Sequence, residues 1–328
     1  MVSIIISNLN TDLTFLQARL DSVKNQTFLD WECIIVDGFS DNGSWEYLHQ
    51  ATNLDRRFKL YQKPRKGIYN AWNEGIKLAK GNYICIAPSD DTMDKEFIEK
   101  MVNVLDQNLQ CDMAHCCLRI IDVNGKPAID GNWDTFLSSK FFGDIMHTKH
   151  IRHAPHDGIL HAFIKTVYTS ITQLLIRKSV FDELGLFIED GGSIADFEWE
   201  MRVSLFINIV HVPEYLTSWR VHNLQATKVE TQIAPETYAC LRKWVKQNFL
   251  LFNSRRPKDT INHSLRDLLY VYRKNEIHFL LKKIAGKNKA LNHVYKRFFA
   301  HYFPYYNGLE SAREYFKTKK MARLIEFI

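Results

Sequence analysis

Two adjacent carboxylates directly follow an apolar segment in the stretch YICIAPSDD, which runs from Tyr83 to Asp91. Adjacent carboxylates repel each other unless a cation lies between or beside them. Mg²⁺ or Mn²⁺ suits this arrangement, because these ions take one or two protein carboxylates and complete their shell with phosphate oxygens and water. The alternative is a structural one, in which Asp90 or Asp91 caps the helix that follows.

Polar side chains also follow two other apolar segments. Ser7, Asn8 and Asn10 come after the first, and Asp37 comes after the second. Ligands of open parallel sheets bind outside the carboxyl ends of the strands. The sequence therefore predicts one polar crevice at which these residues meet Ser89, Asp90 and Asp91.

The elements that would position this crevice alternate along the first 110 residues. Short apolar runs predict strands at Val2–Ser7, Trp31–Val36, Phe58–Gln62 and Tyr83–Ala87. Helical spacing or capping residues predict helices at Asp12–Gln26, Ser44–Ala51, Gly67–Ala79 and Asp94–Gln107. In the first of these helices Phe15, Leu16, Ala18, Leu20 and Val23 form the apolar face. Such a strand–helix order predicts an α/β fold with a doubly wound, mixed and mostly parallel sheet.

The pattern is weaker beyond residue 110. Strands are expected at Cys111–Ile121, Gln173–Ile176 and Ile209–Val212, with a hairpin turn at Asn124-Gly125 and helices at Lys178–Leu184 and Asp196–Phe206. Residues 131–166 show no clear period and are predicted to form an irregular, lid-like segment. From about residue 234 the pattern is helical, basic and aromatic throughout.

Histidines and cysteines do not favour a structural metal site. His147, His150, His153, His156 and His161 recur in the irregular segment, but without the paired spacing of zinc ligands. A polar loop near an acceptor is the interpretation we favour for them. The six cysteines are scattered, which indicates buried free thiols in a reducing compartment.

Charge divides the chain unevenly. Residues 241–328 carry 20 Lys/Arg and 6 Asp/Glu, a net of +14, whereas the rest carries a net of −8. Basic side chains bordering apolar faces suit an anionic membrane surface, and helices packed on the main domain with solvated charges are the alternative. Nucleic-acid binding is not expected, because no recognition module is present and the sheet edge is acidic. The N-terminal residues lack signal-peptide features and no stretch is long enough to span a bilayer, so we expect a cytoplasmic protein, with membrane contact at most peripheral, on the inner face.

Four segments, in order, resemble the family 2 glycosyltransferases, which have the GT-A fold. They are VSIIISNLN, LDSVKNQTFLDWECIIVDGFSDNGS, RKGIYNAWNEGIKLAKGNYICIAPSDD and SIADFEWEMRVSL. The resemblance covers roughly residues 2–225, and the joint pattern is specific although each piece alone is weak. It implies a catalytic domain at 1–230, with a nucleotide-binding half at 1–110 and an acceptor half at 111–230. A basic, aromatic helical region would follow at 231–328.

The resemblance also implies roles for individual residues. Asp196 matches the catalytic base, Asp91 matches the metal-contacting aspartate with Asp90 beside it, and His222 in TSWRVHN matches a late histidine near the metal or diphosphate. Nucleotide and donor contacts are implied for Asn8, Asn10, Asp37, Gly67, Asn70, Asn73, Ser89 and Asp90. Two positions depart from the pattern: Ser89 stands where a first aspartate is common, and Ala195 stands where a glutamate is common. The alternative for Asp196 is that it forms, with Glu198, Glu200 and Arg202, a solvated helix face with intrahelical pairs.

The activity implied is transfer of a sugar, with inversion, from a nucleotide-diphospho sugar, with UDP favoured over other nucleotides. Mn²⁺ or Mg²⁺ would assist, and the acceptor would be a glycan or a lipid-diphosphate-linked hydroxyl in bacterial surface polysaccharide or lipopolysaccharide synthesis. A sugar nucleotidyltransferase is an alternative, although the Gly-rich basic loop expected after its first strand is missing from SNLNTDLTF. A non-enzymatic sugar-nucleotide or partner-binding module is the other. The number of subunits cannot be read from the sequence.

Overall fold

A mixed ten-stranded sheet forms the centre of the molecule. The computed structural model describes residues 1–128, 136–164, 167–223, 235–255 and 308–328, with five single positions between 269 and 294. In chain order the strands are β1 (Val2–Asn8), β2 (Trp31–Asp37), β3 (Phe58–Gln62), β4 (Tyr83–Ile86), β5 (Thr92–Met93), β6 (Met113–Ile121), β7 (His150–Arg152), β8 (Leu174–Arg177), β9 (Ile209–Arg220) and β10 (Ile325–Phe327).

Helices cover both faces of this sheet. In chain order those described are α1 (Leu13–Lys24), α2 (Ser44–Thr52), α3 (Ile68–Leu78), α4 (Phe97–Gln107), α5 (Leu137–Phe142), α6 (His156–Ile164), α7 (Lys178–Leu184), α8 (Ala195–Ser204), α9 (Pro235–Arg255) and α10 (Gly308–Thr318). One buried cluster contains the apolar faces of α1 and α4, and the other contains those of α3, α6 and α8. Among the described helices, none has the length and apolar character needed to cross a membrane.

The strand order is β10-β7-β9-β6-β8-β4-β1-β2-β3, with β5 paired to β9. β4, β1, β2 and β3 are parallel neighbours, so their carboxyl ends lie along one edge. β8 is antiparallel to both β4 and β6, and it joins this half of the sheet to the half that ends in β10. The predicted α/β fold is thus confirmed, and the parallel half carries the predicted crevice.

A glycine sets the distance between α3 and the sheet. Gly75 faces β1, and a Cβ atom at this position would overlap the side chain of Ile5. The helix backbone therefore lies directly against the strand, in the manner that only a residue without a side chain permits.

Two secondary-structure predictions were wrong. The stretch expected to be irregular contains α5, β7 and α6 in its described part, and all nine residues of α6 are buried. A helix buried on every side shows no polar face, so its sequence carries no 3.6-residue period. The C-terminal region is not helical throughout, because β10 pairs antiparallel with β7.

β9 extends well beyond the predicted Ile209–Val212, as far as Arg220. Its pairing with β6 shifts register next to Cys117, close to Pro213 and Glu214, which break the apolar run in the sequence. This extension carries the end of β9 to the turn that contains Asp90 and Asp91.

Candidate active site

A cleft of about 390 Å³ opens at the carboxyl ends of β1, β2 and β4. Asn8 and Asn10 line it from the first strand, Gly38 from the second, and Ser89 and Asp90 from the third. This is the place predicted for the crevice, at the ends of parallel strands. Its volume lies within the range of small-molecule sites, roughly 300–1,000 Å³.

Asp37 organises the cleft wall rather than lining it. Its carboxylate is fully buried and accepts hydrogen bonds from the Asn8 amide (2.7 Å), the Ser40 backbone N–H (3.0 Å) and the Ser40 hydroxyl (2.6 Å). Both carboxylate oxygens are engaged in these bonds. The predicted nucleoside-contacting residue is therefore committed to holding the loops after β1 and β2 together.

Asn10 fastens the same two loops from the cleft side. Its backbone N–H donates to the Ser40 hydroxyl at 2.9 Å, and its side chain exchanges two hydrogen bonds with Asp41, at 2.8 and 2.9 Å. Asn10 adopts a φ of 53°, in the left-handed region that asparagine tolerates better than most residues. The two loops thus form one continuous wall.

The two adjacent aspartates face different surroundings. Asp90 lines the cleft, whereas Asp91 is only 1% exposed and is absent from the lining. One Asp91 oxygen accepts from the backbone N–H of Arg220 at 3.0 Å. Burial raises the pKa of Asp91 well above its usual value; the charge of Asp90 adds to this effect and that of Arg19 opposes it. The structure therefore places the sequence-predicted metal ligand inside the protein, and its neighbour in the cleft.

His222 lies directly against Asp90 on the cleft wall. Its Nε2 atom is 2.9 Å from Asp90 Oδ2, and Arg220 donates from Nε to the backbone carbonyl of Asp90 at 2.8 Å. Among the described residues no group of three metal-ligating side chains occurs, and Asp90 and His222 are the pair in the cleft that would hold a divalent cation. The donor set fits a cation that completes its shell with phosphate and water.

Three basic side chains that the family resemblance did not indicate also line the cleft. They are Lys63, Arg65 and Lys66, in the loop between β3 and α3. Arg65 also donates to the backbone carbonyls of Gly38 (2.7 Å) and Phe39 (2.5 Å), which fixes its guanidinium at the cleft edge. The run KPRKG, placed between a strand and a helix, was the available signal. Clustered positive charge attracts anionic ligands such as phosphates.

The predicted donor residues on α3 divide into two groups. Gly67, with a φ of 94°, begins the helix and lines the cleft, as Asn70 does. Asn73 is buried and does not line the cleft; it donates to the Phe187 carbonyl at 2.9 Å and accepts from the Phe187 N–H at 3.1 Å. Asn73 therefore fixes the loop before α8, whereas Gly67 and Asn70 are the two of these residues that line the cleft.

Asp196 lies in the first turn of α8 and is not among the residues that line the cleft. It is half-buried, its carboxylate accepts from the Phe197 N–H at 2.8 Å, and it contacts Tyr69. Burial raises the pKa of Asp196 to about 6, although the hydrogen bonds from Phe197 and Tyr69 oppose the increase. Such a carboxylate is ionised at neutral pH and is a stronger base than an ordinary aspartate.

The expected solvated helix face around Asp196 is not observed. Glu198 pairs with Arg202 at 2.9 Å, as an intrahelical pair would, but both side chains are largely buried. Arg202 also donates to the Leu186 carbonyl at 2.8 Å, so the pair fixes the loop before α8. These contacts attach α8, the helix that carries Asp196, to the loop that precedes it.

Comparison with known families is decisive at this point. The family model described as "Glycosyl transferase family 2" matches residues 3–185, more than half of the chain. The chain belongs to glycosyl transferase family 2. It is a glycosyltransferase. This membership argues against the two alternatives, a sugar nucleotidyltransferase and a non-enzymatic binding module. The match contains β1, β2, β4 and the Ser89–Asp91 turn.

Individual relatives of this glycosyltransferase are distant. An uncharacterized glycosyltransferase of Haemophilus influenzae is 24% identical over 286 residues, which cover 87% of this chain and 84% of that protein. The chondroitin synthase of Pasteurella multocida is 32% identical over 144 residues, 43% of this chain but only 14% of the synthase. The putative glycosyltransferase EpsH of Bacillus subtilis is 32% identical over 101 residues, 31% of this chain and 29% of EpsH.

Solved structures support the GT-A architecture. S. aureus TarS 1–349 in complex with UDP-GlcNAc has a TM-score of 0.55 at 13% identity, covering 86% of this chain and 80% of that one. A mannosyltransferase of Pyrobaculum calidifontis, in complex with GDP-Man and Mn²⁺, has a TM-score of 0.51 at 13% identity, covering 98% and 85%. At this identity the likeness concerns the fold.

The histidines of the glycosyltransferase do not form the polar loop expected of them. His150, His156 and His161 are buried, whereas His147 and His153 are not. Arg152 and Asp157 form a fully buried ion pair at 2.8 Å beside His150 and His156, and His211 lies next to His115, with their Nδ1 atoms 3.0 Å apart. This buried cluster lies in the half of the sheet away from the cleft-forming strands, so we place it in the scaffold.

Proposed function

We propose that the glycosyltransferase moves a sugar, with inversion, from a nucleotide-diphospho sugar in the cleft to an acceptor hydroxyl. The observation that carries the proposal is the Asp90–His222 pair, which lines the same cleft as Ser89 and three basic side chains. A carboxylate and an imidazole that hold a divalent cation, together with basic side chains in the same cleft, suit a diphosphate.

Asp90 and His222 would hold the cation, so the metal-ligand role passes from Asp91 to Asp90. When bound, Mn²⁺ or Mg²⁺ would neutralise charge on the diphosphate of the donor. The side chains of Lys63, Arg65 and Lys66 would place further positive charge beside the same phosphates.

Asp196 would be the general base. The acceptor oxygen forms a bond to the anomeric carbon while its proton passes to the Asp196 carboxylate. The anomeric carbon–oxygen bond breaks at the same time, and the nucleoside diphosphate leaves with the electron pair. A pKa of about 6 leaves Asp196 ionised at neutral pH and able to take this proton. One displacement of this kind inverts the anomeric configuration.

A UDP-sugar is the donor that we propose, because the sequence resemblance favours uracil and TarS 1–349 was solved with UDP-GlcNAc. The acceptor that we propose is a glycan or lipid-diphosphate-linked hydroxyl in bacterial surface polysaccharide or lipopolysaccharide synthesis. Similarity to a chondroitin synthase supports a polysaccharide product. The net charge of +14 in residues 241–328 supports contact with an anionic membrane surface, at the inner face of the membrane.

A donor screen tests the proposal directly. Thermal shift with UDP-, GDP- and dTDP-sugars, with and without Mn²⁺, should identify a ligand that raises Tm by mass action. Transfer or hydrolysis of that donor should fall by about 10²–10⁴-fold in D196N while donor affinity is retained. Full turnover by D196N would remove Asp196 as the base, and activity that is indifferent to chelator would remove the cation.

A further inference from the structure

Phe15 of α1 lies on the wall of the cleft. Its neighbours Leu16, Leu20 and Val23 are buried in the core, as the apolar pattern of the helix predicts. Phe15 itself is half-buried and is part of the cleft lining. A large aromatic side chain on the wall of a polar site calls for an explanation other than core packing.

The ring of Phe15 contacts the two side chains that hold Asp90. The centroid of the His222 imidazole is 5.1 Å from the centroid of the Phe15 ring. The guanidinium carbon of Arg220 is 4.7 Å from the same ring centroid. Both distances are typical of attractive contacts, the first between aromatic rings and the second between a cation and a ring face.

Arg220 and His222 fix Asp90 in different ways. Arg220 donates to the backbone carbonyl of Asp90 and, from Nη1, to the carbonyls of Asp122 (3.0 Å) and Val123 (3.2 Å). It therefore anchors the turn. His222 contacts the carboxylate of Asp90 at 2.9 Å and is only 13% exposed.

Through these contacts the ring of Phe15 restrains both the imidazole of His222 and the guanidinium of Arg220. Without the ring, the imidazole of His222 would lose a side-chain neighbour on the cleft wall and gain freedom about its side-chain torsions. A cation site that includes Asp90 and His222 depends on each of these ligands being held in place before binding.

We propose that Phe15 is a positioning residue for the divalent-cation site, acting through His222 and Arg220 on the geometry of the Asp90–His222 pair. This inference rests on the proposed function. The ring does not ligate the ion; it keeps the imidazole where the ion and the carboxylate of Asp90 require it.

The experiment measures the affinities of the full chain for UDP and for GDP by calorimetry, with Mn²⁺ and with EDTA. The gain in affinity that Mn²⁺ provides is the quantity compared among variants. F15L should reduce this gain by about 10-fold, because removing a partner that orients a ligand typically weakens metal binding by that much or more. F15Y keeps the ring and should retain the gain to within about twofold.

Two further variants separate positioning from other roles. L13A changes another side chain of α1, one that is 42% exposed and absent from the cleft lining, and should behave as wild type. The double variant F15L/H222Q should lose less of the gain than the sum of the two single losses, since part of the effect of Phe15 passes through His222 and the rest through Arg220. Far-UV circular dichroism and Tm of each variant establish that it is folded.

The outcomes distinguish the two proposals. If wild type binds neither nucleotide, or binds without any Mn²⁺ effect, the proposed metal-assisted function fails. If wild type shows the gain and F15L keeps it in full, the role of Phe15 is overturned by itself. Equal losses with Mn²⁺ and with EDTA would also overturn it, because the ring would then contact the nucleotide directly.

Discussion

Tyr69 contacts the carboxylate of Asp196, and the next residue along the same helix, Asn70, lines the cleft. The Asp196 contact and the cleft lining thus come from consecutive residues of α3. Asn70 also donates to Glu189 at 2.8 Å, in the loop that leads to α8. The proposed base and the proposed donor site are therefore connected through the first turn of α3.

The first prediction concerns the pH dependence of turnover. Asp196 accepts a proton only when ionised, so kcat should fall as pH decreases through about 6, the pKa of Asp196. The Y69F variant removes a hydrogen bond that lowers this pKa and should move the acidic limb to higher pH. Rates measured from pH 4.5 to 8 provide the test, and a limb near pH 4 in wild type would contradict it.

A second prediction compares the two adjacent aspartates. D90N should weaken Mn²⁺-dependent nucleotide binding by about 10-fold or more, because Asp90 is the carboxylate in the cleft. D91A should instead lower the free energy of unfolding by about 1–3 kcal/mol, because the buried N–H of Arg220 loses its acceptor. Calorimetry and urea denaturation of both variants measure the two effects. The opposite result, with metal binding lost only in D91A, would restore Asp91 as the ligand.

A third prediction concerns Asn73. Its amide bonds both backbone groups of Phe187, so N73A should lower the free energy of unfolding by about 2 kcal/mol and leave nucleotide affinity nearly unchanged. N70A should reduce nucleotide affinity, because Asn70 lines the cleft, and should also lower stability, because its hydrogen bond to Glu189 is lost. Urea denaturation and nucleotide titration of the two variants, run in parallel, decide the matter. A large loss of affinity in N73A at unchanged stability would show that it contacts the donor.

Acid should destabilise the buried cluster. Burial lowers the pKa values of His115 and His211 well below the usual 6.5, and lowers that of His150 to about 4. Folding therefore favours their neutral forms, and the stability this provides is complete above pH 6.5 and decreases as pH falls towards 4. One unit of pKa shift is worth about 1.4 kcal/mol, so the shift of His150 alone corresponds to a loss of about 3 kcal/mol once pH falls below 4.

Asp157 adds a second step at lower pH. Burial alone would raise its pKa, but the charge of Arg152 and the hydrogen bond from His156 hold it well below the usual value. The corresponding stability is lost only as pH falls below about 3.8.

Urea denaturation at pH 7, 5.5 and 4.5 tests the histidine step, with H147Q as a control on an exposed histidine. A free energy of unfolding that stays constant over this range would contradict the prediction.

The sequence predicts the parallel half of the fold well because its elements are local and regular. β1, β2, β3 and β4 are short apolar runs bounded by polar residues, and α1 and α3 show helical spacing. β10 could not be predicted in this way, because a three-residue strand is defined by its pairing with β7, far away in the chain. α6 was missed because burial on all sides removes the polar positions that reveal a period.

The candidate site could be predicted at the level of its segments, but less reliably at the level of side chains. The Ser-Asp-Asp stretch indicates that an acid lies at the end of β4, yet consecutive residues of a turn point in different directions. Which carboxylate reaches the cleft depends on Arg220, which is 129 residues further along the chain. The backbone N–H of Arg220 donates to the carboxylate of Asp91 and holds it inside the protein. Contacts with Phe187, 114 residues further along the chain, likewise keep Asn73 away from the cleft surface.

Gly75 has a consequence for substrate range. At Gly75 the backbone of α3 lies against Ile5 of β1, so the helix that carries Asn70 cannot move closer to the sheet. The contact between these two elements thus limits how far the cleft wall can move. Substitution of residues that line the cleft, such as Asn70 or Lys66, should therefore change which donors are accepted. Substitution of Gly75 by a larger residue should instead destabilise the fold.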